Sequence, residues 1–234
     1  MLEHKKIQNL SDYFVELNSR REKGVYFYRI NGYSEEVGEF IKKYYDTARR
    51  TGVVIEGKIP NPDEGNLAYY NEIMGMDFQM SMDFIHVSLR KWLPRMNEFQ
   101  RQNVAASIYD SLDSLRKAGK TENMLRNAYI KFMCWLYYKF ERIVNQLGEN
   151  HIPKILYEGQ ISNYELMLIS ILSNAGCDVV LLQYAGDQGY LKTDPGSVLS
   201  DSLQMEGLQP FPQGYCVKKV RDEIQNELNN ERLY

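Results

Sequence analysis

"HIPKILYEGQISNYELMLISILSNAGCDVVLLQ", residues 151–183, decides the fold class. Pro153 sets an extended start, and Ile155, Leu156 and Tyr157 make a short apolar strand. Gly159 turns the chain. Ser162 and Glu165 then stand as S-x-x-E. At that spacing a cap hydroxyl reaches the third helical amide while the carboxylate reaches back to the cap amide. Leu166, Met167, Leu168, Ile169, Ile171 and Leu172 leave the helix little polar surface, so it is expected to be covered on most sides. Gly176 closes it in the left-handed position. Asp178 leads into Val179, Val180, Leu181 and Leu182, the continuous apolar run of a parallel strand buried on both faces. Strand, helix and strand in this order predict a right-handed βαβ unit.

Upstream, residues 1–62 repeat the grammar. Val25 to Ile30 is aromatic and β-branched, Asn31-Gly32 turns the chain, and Ser34 caps a helix whose first turn carries Glu35 and Glu36. Val37, Phe40, Ile41, Tyr44 and Tyr45 recur at helical spacing, Gly52 ends the helix, and Val53-Val54-Ile55 makes a second strand. "KIPNPDEGN" reads as a turn-rich exit. Residues 63–149 look entirely helical. One helix is expected from about Arg95 to Gly119 and another from Thr121 to Gly148, the latter apolar nearly all round and so buried. The methionines of "MGMDFQMSMDF" fit core packing or an adaptable binding surface. Residues 150–234 hold the opening unit, a long loop dense in Gly, Pro, Ser and Asp after Gln183, and an amphipathic tail helix with Val217, Val220, Ile224 and Leu228 on one face. The expected fold is α/β. A Rossmann-like parallel sheet is assembled from the N- and C-terminal βαβ segments, 1–62 and 150–234, which pack together with an all-helical lobe between them.

Composition removes several function classes. A net charge of −3, with no basic run longer than a pair, argues against a nucleic-acid partner. Cys134, Cys177 and Cys216 lie far apart with no C-x-x-C, as buried thiols in a reducing compartment would. His4, His86 and His151 share no metal-ligand spacing, so no metal site is expected. The N-terminus lacks the apolar core of a signal peptide, and "AYIKFMCWLYYKF" is too short and too lysine-interrupted to span a bilayer. These features predict a cytoplasmic protein with no membrane partner.

The candidate site follows from the sheet. Ligands of open parallel sheets bind beyond the carboxyl ends of the strands, where strand order reverses. Gly32 with Ser34 and Gly159 with Ser162 place a bend and a capped helix at two such ends, so both bends are expected to open onto one hollow. Neither G-x-G-x-x-G nor G-x-x-x-x-G-K-[ST] occurs. Glu158 beside Gly159 would repel a pyrophosphate and suits the hydroxyls of a sugar or nucleoside. The candidate ligand-binding residues are therefore Arg29, as the anion contact, Gly32, Ser34, Gly159, Gln160 and Ser162. Glu158 and Asp187 are the weak catalytic candidates. Each has a blander reading beside it: a turn for Gly159, a solvated loop charge for Glu158 and Asp187, a salt bridge or rim charge for Arg29. No covalent nucleophile is evident and no cofactor is assigned, so whether the chain is an enzyme stays open.

Taken together, "RINGY", "GKIPNP", "PKILYEGQISNYELMLISILSNAGCDVVLLQYAGD" and "PFPQG" resemble the YceG-like family, most clearly over 152–187 and more faintly over 24–62. The resemblance implies a component of a biosynthetic module associated with bacterial tellurite-resistance (Ter) stress operons. Such a component would handle a nucleoside-like or nucleotide-sugar ligand, in a glycosyltransferase-like way, with a protein partner from the same module. It also implies a longer chain, of which these residues would be an N-terminal part or a short form. The alternative is a non-catalytic interaction module whose helical lobe docks a partner.

Overall fold

The structure is a computed structural model that describes residues 1–61 and 68–231, without the side chain of Glu231. The expected boundary at 62/63 and most of the "KIPNPDEGN" exit lie outside the described residues. In chain order the elements are β1 (Phe27–Ile30), α1 (Glu35–Thr51), β2 (Val53–Glu56), α2 (Ala68–Met74), α3 (Met82–Trp92), α4 (Glu98–Lys117), α5 (Glu122–Tyr138) and α6 (Glu141–Val144). Then follow β3 (Lys154–Glu158), α7 (Asn163–Ala175), β4 (Asp178–Leu182), α8 (Gln188–Leu191), β5 (Asp201–Ser202) and α9 (Val217–Glu231).

Among the described residues the five strands form one parallel sheet in the order β2-β3-β4-β1-β5. This differs from the 3-2-1-4-5-6 arrangement of dinucleotide-binding sheets. The strands flanking α1 are not neighbours, because β4 and β3 stand between them. Side-chain burial explains the placement. All of β4 is buried and takes the centre, whereas Val53 and Val54 are half-buried and Glu56 is exposed, which suits β2 to an edge.

Alternation along the strands separates two cores. Tyr26, Tyr28, Ile30, Leu156, Val180 and Leu182 face α1, whose Phe40, Ile41, Tyr44, Tyr45 and Ala48 cover them, together with Val217 and Val220 of α9. Phe27, Ile155, Tyr157, Val179 and Leu181 face α7, and this second core continues without a break into α3, α4 and α5. The helical residues thus share their interior with the sheet. Met74, Met76 and Met80 pack against that interior.

The helix expected over 121–148 breaks. Lys139 and Phe140 both donate to the Trp135 carbonyl, which widens the last turn of α5. The chain then bends so that Phe140, Ile143 and Val144 enter the core. Around α7 the capping box forms as its spacing predicts: Ser162 Oγ accepts from Glu165 N, and Glu165 Oε2 accepts from Ser162 N at 3.1 Å. Glu165 Oε1 also accepts from Ile59 N at 2.7 Å, fastening the exit of β2 to the start of α7. Ser162→Ala is expected to cost about 1–2 kcal/mol, read as a lower urea midpoint at unchanged slope. A change below a few tenths of a kcal/mol would show that the cap carries no stability.

At the amino ends of the strands sits a buried ion cluster. Asp178 accepts from Arg20 Nη1 at 2.9 Å, from Lys154 Nζ at 2.5 Å and from Tyr26 N at 2.9 Å, and it also meets Arg20 Nη2. Burial pushes the Lys154 ammonium below its ordinary value, with Asp178 opposing the shift.

Candidate ligand crevice at the strand tips

β1 hands the chain to α1 on one face, while its neighbour β4 hands it to α8, whose Tyr190 belongs to the other core. The reversal therefore lies between β1 and β4. There, at the carboxyl ends, a crevice of about 650 Å³ is lined on one side by Asn31, Gly32, Tyr184, Ala185 and Gly186. The arch from Leu203 to Pro210 supplies its other wall. The arch is tied down by an antiparallel bridge in which Tyr33 N donates to the Gln209 carbonyl and Gln209 N to the Tyr33 carbonyl (2.6 and 2.8 Å). A Cβ on Gly32 would sit 3.0 Å from Leu208 Cβ, so the absent side chain lets the arch cross close over β1.

Beside the crevice, Tyr33, Tyr184, Phe211 and Tyr215 form an aromatic cluster with ring centroids 4.9–5.7 Å apart. Burial, then Glu158, pushes the Tyr184 phenol up, so it stays protonated and donates to Glu158 Oε2 at 2.6 Å. The same oxygen accepts from Val217 N, the first amide of α9, at 2.8 Å.

The sequence candidates divide. Gly32 lines the crevice. Ser34 lies behind it as the α1 cap, accepting from Val37 N at 3.2 Å. Gly159 is on the same rim of the sheet, but β4 stands between its strand and β1. The two bends are thus two strand spacings apart, roughly 10 Å. Gly159, Gln160 and Ser162 are not among the crevice-lining residues. A Cβ on Gly159 (φ +103°) would sit 3.2 Å from Gly57 Cα, Gln160 is exposed, and Ser162 serves the α7 cap. Arg29 and Asp187 are each other's partners: Nε lies 2.9 Å from both carboxylate oxygens, Nη1 donates to the Ser200 carbonyl at 2.6 Å, and the guanidinium lies over the Tyr190 ring. Asn31, Tyr184 and the arch escaped sequence reasoning. The Tyr-Ala-Gly following β4 is the local sequence signal for that side of the crevice.

The YceG domain family matches residues 5–226. The chain belongs to that family. The match takes in the helical residues as well as the sheet, and the two share one interior. No curated protein and no solved structure matches it. Among the described residues no helix is long and apolar enough to cross a membrane, and no group of three His, Cys, Asp or Glu is arranged to hold a metal ion.

Proposed function

We propose that this YceG domain is a Rossmann-like binding protein that takes a nucleoside-like or nucleotide-sugar ligand in the strand-tip crevice. Its setting is the biosynthetic module of tellurite-resistance stress operons that the family resemblance implies. The observation that supports the reading is the position of the crevice, at the reversal of strand order, where open α/β sheets bind their ligands. Its volume lies within the range of small-molecule pockets. Glycosyl transfer there needs a general base. The strand-tip carboxylate Glu158 is held by Tyr184 and the α9 amide, which favours binding over catalysis by these residues. A docking role for the helical residues would have to use exposed side chains such as Val87 and Phe99, since Met133, Trp135 and Leu136 are inside the shared core.

Thermal unfolding with uridine, adenosine and UDP-glucose tests the proposal. A ligand at tenfold its Kd stabilises by about 1.4 kcal/mol, or about 3–6 °C for a chain of this length. Ala185→Trp, at an exposed lining position, is expected to abolish the shift while leaving the ligand-free Tm in place. No shift with any of the three at millimolar concentration sinks the reading.

A further inference from the structure

Three observations about the crevice point to one ligand chemistry. First, none of its lining residues is Lys, Arg or His. Arg29, the cation that the sequence places at the end of β1, faces the opposite side of the sheet from α1 and is held by Asp187 and Ser200. Second, the two helix N-termini that a phosphate would use are already occupied. The α1 terminus is capped by Ser34 and carries Glu35 and Glu36 in its first turn. The first amide of α9 is bound to the Glu158 carboxylate. A phosphate approaching either terminus would have to displace a protein group and stand against a carboxylate.

Third, two amides are aimed. Asn31 Nδ2 donates to Ser202 Oγ at 3.1 Å, and Gln204 Nε2 donates to the same oxygen at 3.2 Å. One hydroxyl thereby engages the donor end of both side chains. The Asn31 Oδ1 and Gln204 Oε1 carbonyls accept nothing from the described residues, and both residues line the crevice. A side-chain amide with its donor end held offers an acceptor. Two acceptors turned into a site without cations match the O–H and N–H donors of an uncharged ligand.

We infer that the crevice selects an uncharged, hydroxyl-rich ligand, a nucleoside or a free sugar, through the Asn31 and Gln204 carbonyls set by Ser202, and that it excludes the phosphorylated forms. This rests on the strand-tip reading above and narrows it by setting nucleotide sugars aside. Asn31 and Gln204 are the specificity-determining residues, and Ser202 is a positioning residue.

Titration calorimetry tests it with matched pairs, uridine against UMP and adenosine against AMP, and with ribose alone. The uncharged member of each pair is expected to bind at least tenfold tighter than its monophosphate. Ribose binding would assign recognition to the hydroxyls, and nucleoside binding without ribose would bring in the base; both outcomes support an uncharged donor-rich ligand. Gln204→Ala, at an exposed position, is expected to weaken binding about tenfold or more, the loss of a hydrogen bond of the stronger sort. Ser202→Ala is expected to narrow the gap between nucleoside and monophosphate, because freed amides can turn their donor ends inward. A merely structural serine would change affinity for both equally. Monophosphates binding as tightly as nucleosides, or Gln204→Ala leaving nucleoside affinity intact, would overturn the inference while the strand-tip site survived. If nothing binds, both fall together.

Discussion

Asp178→Ala is expected to remove about 3–5 kcal/mol of stability, because two buried cations lose the one carboxylate that neutralises them. The side chains of Arg20 and Asp178 are wholly buried and that of Lys154 is 6% exposed. A carboxylate that accepts from a guanidinium, an ammonium and the Tyr26 amide also joins three separate pieces of chain: the segment before β1, the start of β3 and the start of β4. Removing it leaves Arg20 with the Val15 and Gly24 carbonyls and the face of the Tyr26 ring, none of which carries a neutralising charge. Replacing all three by apolar residues of similar volume (Arg20→Met, Lys154→Met and Asp178→Leu together) is expected to restore most of the loss, since no charge then stays buried. Urea unfolding at constant slope reads both results. A loss below about 1 kcal/mol for Asp178→Ala would mean that solvent reaches the cluster, as it reaches surface pairs of that strength.

The same cluster shows what a sequence can and cannot disclose. The strand after Gly176 was legible because Val179 to Leu182 is an unbroken apolar run, and α7 because S-x-x-E and Gly176 mark both its ends. Those signals are local. Asp178 looked like the edge of an apolar strand, although its partners lie 24 and 158 positions away. In sequence Arg29 reads as an anion contact or a salt-bridge partner and Asp187 as a catalytic candidate or a solvated loop charge, and nothing local says that they neutralise one another across 158 positions. Strand order makes that pairing, and strand order is set by burial competition among all five strands. β5 was illegible for another reason. Two residues inside a loop rich in Gly and Pro carry no periodicity, and they become a strand only because Tyr28 and Arg29 offer a free edge. The candidate site suffered most, since Asn31, Ser202 and Gln204 meet only once that edge is paired. Gly32 was found because a glycine after a strand is a local mark.

Gly52→Ala is the second substitution with a large expected effect, and here the glycine's role is closeness. Its φ of −147° is not in the left-handed region, and the close approach of β3 by itself already requires a glycine. A Cβ built there would lie 1.8 Å from the Lys154 carbonyl oxygen and 2.7 Å from the Lys154 carbonyl carbon. Those are backbone atoms of β3, held between β2 and β4, and they cannot rotate away as a side chain could. The Gly52 carbonyl is pinned from its other side by Arg142 Nη2 at 2.6 Å, so the helical residues resist the opposite movement. The expected loss is about 3 kcal/mol or more, at the upper end for inserting one methyl group into a packed site. Gly119→Ala is the matching control. That glycine has φ +80° and open space around it, so it should cost only about 1 kcal/mol, the price of the left-handed backbone alone. Urea midpoints for the two variants separate the mechanisms. Equal losses would show that β3 can move away from the end of α1, and the contact between the sheet edge and the helical residues would then be looser than the Arg142 bond implies.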